Sequence, residues 1–281
     1  MKVVTAGFLS EVYPKRRMWD RKGDHGKVLI IGGSRRYRGA PALCALSALR
    51  AGADIAVIAA PESAADVIAA FSPNIITEPL VGDYLNPSDV PKLLNLAEGF
   101  DSIIIGNGLG RMAETGRAVR EFLRKVQKPC VIDADAIHLI SDEKRLLRKG
   151  WIVTPHAGEF FSLSGHEVGN SVETRIKAAM KFSSDFGCVV LLKGHKDVIA
   201  SGKEVFVNST GNPFMTVGGT GDVLAGICGA FLGMKMKPVE AAAAAAYVCG
   251  AAGDRAAGSI GHGLLATDVI ERIPAVLRRF V

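Results

Sequence analysis

The residues best equipped for chemistry lie between Asn208 and Phe231, N-S-T-G-N-P-F-M-T-V-G-G-T-G-D-V-L-A-G-I-C-G-A-F. Asn208 to Gly221 is rich in Gly, Thr, Asn and Pro, which is loop chemistry; Val223 to Phe231 is an apolar run of helical length bounded by Asp222 and Lys235. The pattern predicts a helix N-terminus at the junction. Free backbone N–H groups and the positive end of the helix dipole attract an anion there, and Gly218, Gly219 and Gly221 let the backbone approach it closely. Asp222 would repel a phosphate bound at that point. Its presence makes sense if it handles a proton while the phosphate is transferred. The plainer reading is a helix cap behind a tight turn.

The elements that must position this junction read as an α/β alternation. Lys27 to Ile31 is a short apolar run typical of a buried parallel strand, followed by G-G-S-R-R-Y-R-G and a helical stretch from Ala40 to Ala51. Neither a Walker loop nor a G-x-G-x-x-G fingerprint is present in it. Asp54 to Ala59, Ile75 to Leu80 and Ser102 to Gly106 are further strand candidates, separated by helical stretches at Ala64 to Phe71 and Val90 to Glu98. Such alternation predicts a parallel sheet covered by helices on both faces, with ligands at the carboxyl ends of its strands. Gly106 to Gly110 is a second glycine loop at such an end.

After a helix over 113–126, P-C-V-I-D-A-D-A is a strand ending in Asp133 and Asp135, which would serve as a metal pair or a helix cap. In W-I-V-T-P-H-A-G-E-F, His156 and Glu159 stand three apart without the second histidine of a zinc helix, so a structural metal is not expected. Thr174 to Phe186 is amphipathic, and C-V-V-L-L runs into Lys193. A lysine at the end of a buried strand is costly unless it meets an anion, and nucleotide phosphates would supply one. Glu204 to Val207 reads as an edge strand. Val239 to Ala256 and Leu265 to Arg278 read as two closing helices, the first carrying the small-residue run Ala241 to Ala246.

At 281 residues, 48% hydrophobic and 22% charged, the chain is long enough for one large domain, and no linker or repeat divides it. The net charge of +6 fits an anionic small molecule as well as a polyanion. Aromatics are only 6%, with no basic stripe that interleaves them, so nucleic acid is not the expected partner. Five widely spaced cysteines without a C-x-x-C pair predict buried thiols in a reducing compartment. With no secretory signal and no apolar run of spanning length, a cytoplasmic protein is expected, away from membranes. Residues 1–22 read as irregular and basic.

T-G-N-P followed by G-G-T-G-D-V-L-A-G resembles the signature of the ribokinase-like superfamily. Within it the chain is similar to the ADP- or ATP-dependent NAD(P)H-hydrate dehydratases, from about Gly23 to the C-terminus. G-D-H-G-K-V-L-I-I-G-G-S resembles the family's opening motif, and G-H-G-L-L-A-T-D-V-I, which contains His262, its closing one. The resemblance implies an α/β fold, a ribokinase-like three-layer α/β/α sandwich with a mostly parallel central sheet. It implies the dehydratase domain alone, without the epimerase domain that precedes it in many relatives.

By the same resemblance Asp222 is the catalytic base and Gly219, Thr220 and Gly221 form the anion hole. Lys193, Gly194, His195, Lys196 and Asp197 bind the nucleotide with Gly221; Ala40, Gly108, His156 and Asp222 bind substrate. Glu159 would serve magnesium through water, since H-x-G-E looks like the counterpart of the Asn-x-x-Glu motif of the superfamily's kinases. The substrates implied are hydrated NADH and NADPH (NADHX, NADPHX) and ADP or ATP, with Mg2+. Phosphorylation of the ring hydroxyl turns it into a good leaving group, and the ring nitrogen's lone pair then expels phosphate. A homo-oligomer, such as a tetramer, and a separate NAD(P)H-hydrate epimerase are the partners implied. Two other classes compete: a small-alcohol or vitamin-precursor kinase, against which H-x-G-E counts, and a non-catalytic nucleotide-binding regulator, against which the intact G-T-G-D counts.

Overall fold

Alternation of apolar residues along each strand decides the layers of this molecule. The computed structural model describes residues 1–280. Its strands are β1 (Lys2–Val3), β2 (Lys27–Ile31), β3 (Ile55–Pro61), β4 (Ile76–Leu80), β5 (Ser102–Ile105), β6 (Cys130–Ile132), β7 (Ile152–Val153), β8 (Val189–Leu192), β9 (Asp197–Ser201) and β10 (Glu204–Asn208). Its helices are α1 (Ala6–Val12), α2 (Gly39–Arg50), α3 (Glu62–Ala69), α4 (Val90–Ala97), α5 (Ala113–Lys125), α6 (Asp135–Leu139), α7 (Ala157–Ser164), α8 (Val172–Phe186), α9 (Thr220–Gly233), α10 (Pro238–Ile260) and α11 (Ala266–Leu277). All ten strands form one sheet in the order β1-β10-β9-β8-β7-β6-β5-β2-β3-β4. Only β9 runs against its neighbours; every other pair is parallel.

Side chains two apart on a strand share a face. Val28 and Ile30 of β2, Ile104 of β5 and Leu191 of β8 therefore enter one core with α2, α3, α9, α10 and α11. Leu29, Ile31, Ile103, Ile105, Val190 and Leu192 enter a second core with α4 to α8. A sheet buried on both faces and covered by helices is the three-layer α/β/α sandwich expected. The alanines of α10 from Ala241 to Ala246 are all buried, which lets that helix lie close against the sheet and α9.

Two expectations fail at one edge. Residues 1–22 are not wholly irregular: β1 pairs in parallel with β10 in the register Lys2↔Phe206, and α1 follows with Leu9 fully buried. Phe8 packs on Phe206 with ring centroids 5.1 Å apart, so two apolar side chains anchor the segment. In consequence β10 is not an edge strand, because β1 covers it. Among the described residues no helix is long and apolar enough to cross a membrane, and all five cysteines are free and buried.

Candidate active site

One end of the sheet collects the chemistry. The loops after β2, β5, β6, β7 and β8 all leave at carboxyl ends of parallel strands, and the N-terminus of α9 faces them. The helix starts at Gly219, whose φ of +97° and whose closeness to Leu43, 2.6 Å from where a Cβ would sit, exclude a side chain. No side chain caps this end, and the amides of Thr220, Gly221 and Asp222 find no acceptor among the described residues. The Thr220 hydroxyl turns back onto the Met215 and Val217 carbonyls, so only its amide remains for an anion.

Asp222 projects from that first turn into a buried polar chain. Asn107 Nδ2 donates to Asp222 Oδ1 at 2.6 Å and to Asp133 Oδ2 at 2.9 Å. Asp133, at the end of β6 and 1% exposed, also accepts from Thr154 Oγ1 at 2.6 Å and from Lys193 Nζ at 3.1 Å. Lys193 lies 3.5 Å from Glu159 Oε2. Burial first, and then the charge of Asp133, push the Asp222 carboxyl up to about 7, against the Asn107 hydrogen bond and the Lys193 ammonium. A carboxyl at that value accepts and returns a proton near neutrality. Burial works to lower Lys193, but Asp133 and Glu159 outweigh it and hold the ammonium above its ordinary value.

A cavity of about 660 Å³ opens beside Gly221 and Thr220. Lys193, Gly194, His195 and Asp197 line one side, the 210–217 loop another, and Leu224, Ala246, Cys249 and Gly250 the apolar remainder. That size and mixture suit a nucleotide. The loop is held by buried Asn208, which donates to Asp197 Oδ2 and the Ala246 carbonyl, and by Asp254, which accepts from Gly211 N and Asn212 Nδ2. Arg175, 6% exposed, donates to the Leu192 and Lys193 carbonyls and so fixes the strand end that carries Lys193.

The remaining sequence-derived residues fall around this centre. His156 lines the cavity and also caps α7: its Nδ1 accepts from Gly158 N and Glu159 N, while Glu159 Oε2 accepts from His156 N at 2.8 Å. The capping reading of that histidine holds, and its side chain borders the cavity as well. Lys196 is exposed and outside the cavity lining. Ala40 and Gly108 come together on the other side of Asn107, where Ser34 Oγ donates to the Gly108 carbonyl and Gly33 N to the Asn107 carbonyl. Asp222 thus joins the cavity to the paired glycine loops. His262 stacks edge-on against Phe214, centroids 4.8 Å apart, outside the cavity lining.

Asp133 and Asp135 do not act as a pair. Ala134, at φ +51°, swings the chain between them; Asp135 turns to Gly110 N and Arg111 Nε, whereas Asp133 turns inward. Gly106 makes this possible, since a Cβ there would strike the Asp133 carbonyl. Asn107, Thr154, Arg175, Asn208 and Asp254 were not picked out from the sequence. Asn107 sits inside a glycine loop that was, but nothing in its spacing announces two carboxylate partners.

Sheet order, antiparallel β9 and a helix N-terminus over an acid near neutrality define a ribokinase-like fold, shared with solved structures of that superfamily. The chain belongs to the NAD(P)H-hydrate dehydratase family, whose sequence model matches residues 28–275. It is 49% identical to the bifunctional NAD(P)H-hydrate repair enzyme of Pyrobaculum aerophilum, over 99% of this chain and 56% of that one. This chain therefore spans about half the length of that relative. It is 37% identical to the ADP-dependent (S)-NAD(P)H-hydrate dehydratase of Nitrosopumilus maritimus, over 99% of this chain and 98% of the other. The Bacillus subtilis ADP/ATP-dependent NAD(P)H-hydrate dehydratase, co-crystallised with ATP and Mg2+, superposes with a TM-score of 0.86 at 29% identity, covering 100% and 99% of the two chains.

Proposed function

We propose that this protein dehydrates the S epimer of NADHX and NADPHX at the cost of a nucleotide, with ADP giving AMP and phosphate. The observation that carries the reading is Asp222: a carboxyl poised at about 7 in the first turn of an uncapped helix, beside a nucleotide-sized cavity. In this reading Asp222 takes the proton of the ring hydroxyl as the oxygen attacks the terminal phosphate. The amides of Gly219, Thr220 and Gly221 and the Lys193 ammonium hold the transferring group. Gly194, His195 and Asp197 contact the nucleotide, and Ala40, Gly108 and His156 the dinucleotide.

Among the described residues no group of three or more His, Cys, Asp or Glu is gathered as a metal cage. Buried Glu159, beside Lys193, fits a magnesium ion held mainly by phosphates and water, with the carboxylate reached through water. Such an ion would neutralise phosphate charge. The full-length match to an ADP-dependent relative supports ADP as donor. We place the protein in the cytoplasm as a homo-oligomer working with an NAD(P)H-hydrate epimerase.

The test is to incubate the protein with NADHX, magnesium and either ADP or ATP, following reduced-nicotinamide absorbance and the nucleotide product. Recovery that depends on nucleotide, with AMP from ADP, is expected. Nucleotide binding without recovery, and transfer of phosphate to a small alcohol instead, would overturn the reading in favour of a kinase.

A further inference from the structure

Asp133 is the most heavily partnered buried carboxylate of the site, and the reaction steps above give it no role of its own. Its Oδ1 accepts from Thr154 Oγ1 and Lys193 Nζ, its Oδ2 from Asn107 Nδ2, and it is 1% exposed. A buried charge with three donors is held in one place. Two of those donors lead in opposite directions. Lys193 lines the cavity, 3.5 Å from where a Cβ of Gly221 would lie, on the nucleotide side. Asn107 reaches Asp222 with the same Nδ2 that it gives to Asp133, and its backbone carries the glycine loop next to Ala40. Asn107 Oδ1 is buried without a donor, so the amide is oriented entirely by the two carboxylates.

We propose that Asp133 is a positioning residue for phosphoryl transfer, anchoring the Lys193 ammonium on the donor side and, through Asn107, the Asp222 carboxylate on the acceptor side. This rests on the functional reading above and extends it. The strained Ala134 backbone and the Gly106 close approach are the local means by which β6 delivers the Asp133 carboxylate inward while Asp135 is sent outward. Asp133 also acts on Asp222 as a charge. The groups that face Asp222 are Asp133 from the end of β6, Glu159 from α7, Lys193 from the end of β8, and Asn107 from the β5 loop; the Cys44 thiol of α2, neutral because burial holds its pKa well up, meets only the Asp222 carbonyl. Asp133 favours the protonated form of Asp222 and Asn107 the ionised form, so their removal has opposite signs.

The experiment is a carboxyl-carbon NMR titration of protein labelled at aspartate, with D222N used to assign the Asp222 resonance. In D133N the Asp222 midpoint is expected below its wild-type position, and in N107A above it. No turnover is needed for this arm, so its outcome stands apart from whether the dehydratase assay succeeds. In the turnover arm, N107A should lose about tenfold to a hundredfold in kcat, the scale of one charge-assisted hydrogen bond, with the nucleotide KM held within about twofold. D133N should raise the nucleotide KM, because Lys193 loses the nearer of its two carboxylate partners. An Asp222 midpoint that stays put in folded D133N, or that moves the same way in both variants, overturns the proposal. If D133N does not fold, the N107A midpoint decides alone, a rise supporting and an unmoved value overturning it.

Discussion

Replacing Asp222 with Asn should destroy turnover and stabilise the fold, and the second effect has a pH signature. The carboxyl stands at about 7 in the folded chain, against an ordinary value of 3.8. Below that ordinary value the group is protonated in both states and contributes nothing. As pH rises from about 4 to about 7 the unfolded chain releases the proton while the folded chain keeps it, so stability is lost through this window and stays lost above it. At 1.36 kcal/mol for each pH unit the ceiling is roughly 4 kcal/mol. Asp222 is only partly buried, and solvent screening brings the expectation to about 2 kcal/mol. An asparagine at 222 keeps an oxygen for the Asn107 amide and sheds the charge. For a chain of this size the gain corresponds to roughly 4 °C in Tm at pH 8. The assay is thermal melting of wild type and D222N from pH 4.5 to 8.5, beside nucleotide binding and turnover. A Tm gap that widens with pH up to about 7 and then levels is expected, with nucleotide binding kept and kcat down by at least about a hundredfold. A gap that is flat across this range, or a variant less stable than wild type at pH 8, would refute the account of the buried acid.

Lys193→Met should raise the nucleotide KM and also cost about 3–5 kcal/mol, read by denaturant melts, because it strands Asp133 and Glu159 without their cation. Gly226→Ala places a methyl group against the Cys44 carbonyl and Ser47 Oγ where α9 crosses α2, and a loss of about 1–3 kcal/mol in the same melts is expected. All five thiols are buried, and burial pushes Cys44, Cys130 and Cys228 well up and both Cys188 and Cys249 up to about 12; alkylation of the native protein at pH 8 should therefore be negligible by mass spectrometry until denaturant is added.

Much of this molecule was legible where structure follows from short-range pattern. β2 is found at Lys27–Ile31 as expected, and the switch from glycine-rich loop to apolar run at Asp222 marks the start of α9 within two residues. Asp222, Lys193, His156 and Glu159 were singled out by residue type at element ends, and the fold brings all four to one end of the sheet. β10 was misjudged as an edge because its cover, β1, comes from the opposite end of the chain, and pairing at that distance leaves no periodicity to read.

By itself, then, the sequence determined the period-two strands, the small-residue helix α10, the glycines that a close backbone approach demands, and the presence of an acid at a glycine-rich helix start. Those features depend on a residue and its near neighbours. The partnering of Asp222 with Asn107, 115 positions away, and the gathering of Asn107, Thr154 and Lys193 on Asp133 were decided only by the tertiary structure. So was the proton affinity of Asp222, because it is set by burial and by the charge of Asp133, and both exist only once β6 and α9 are packed together.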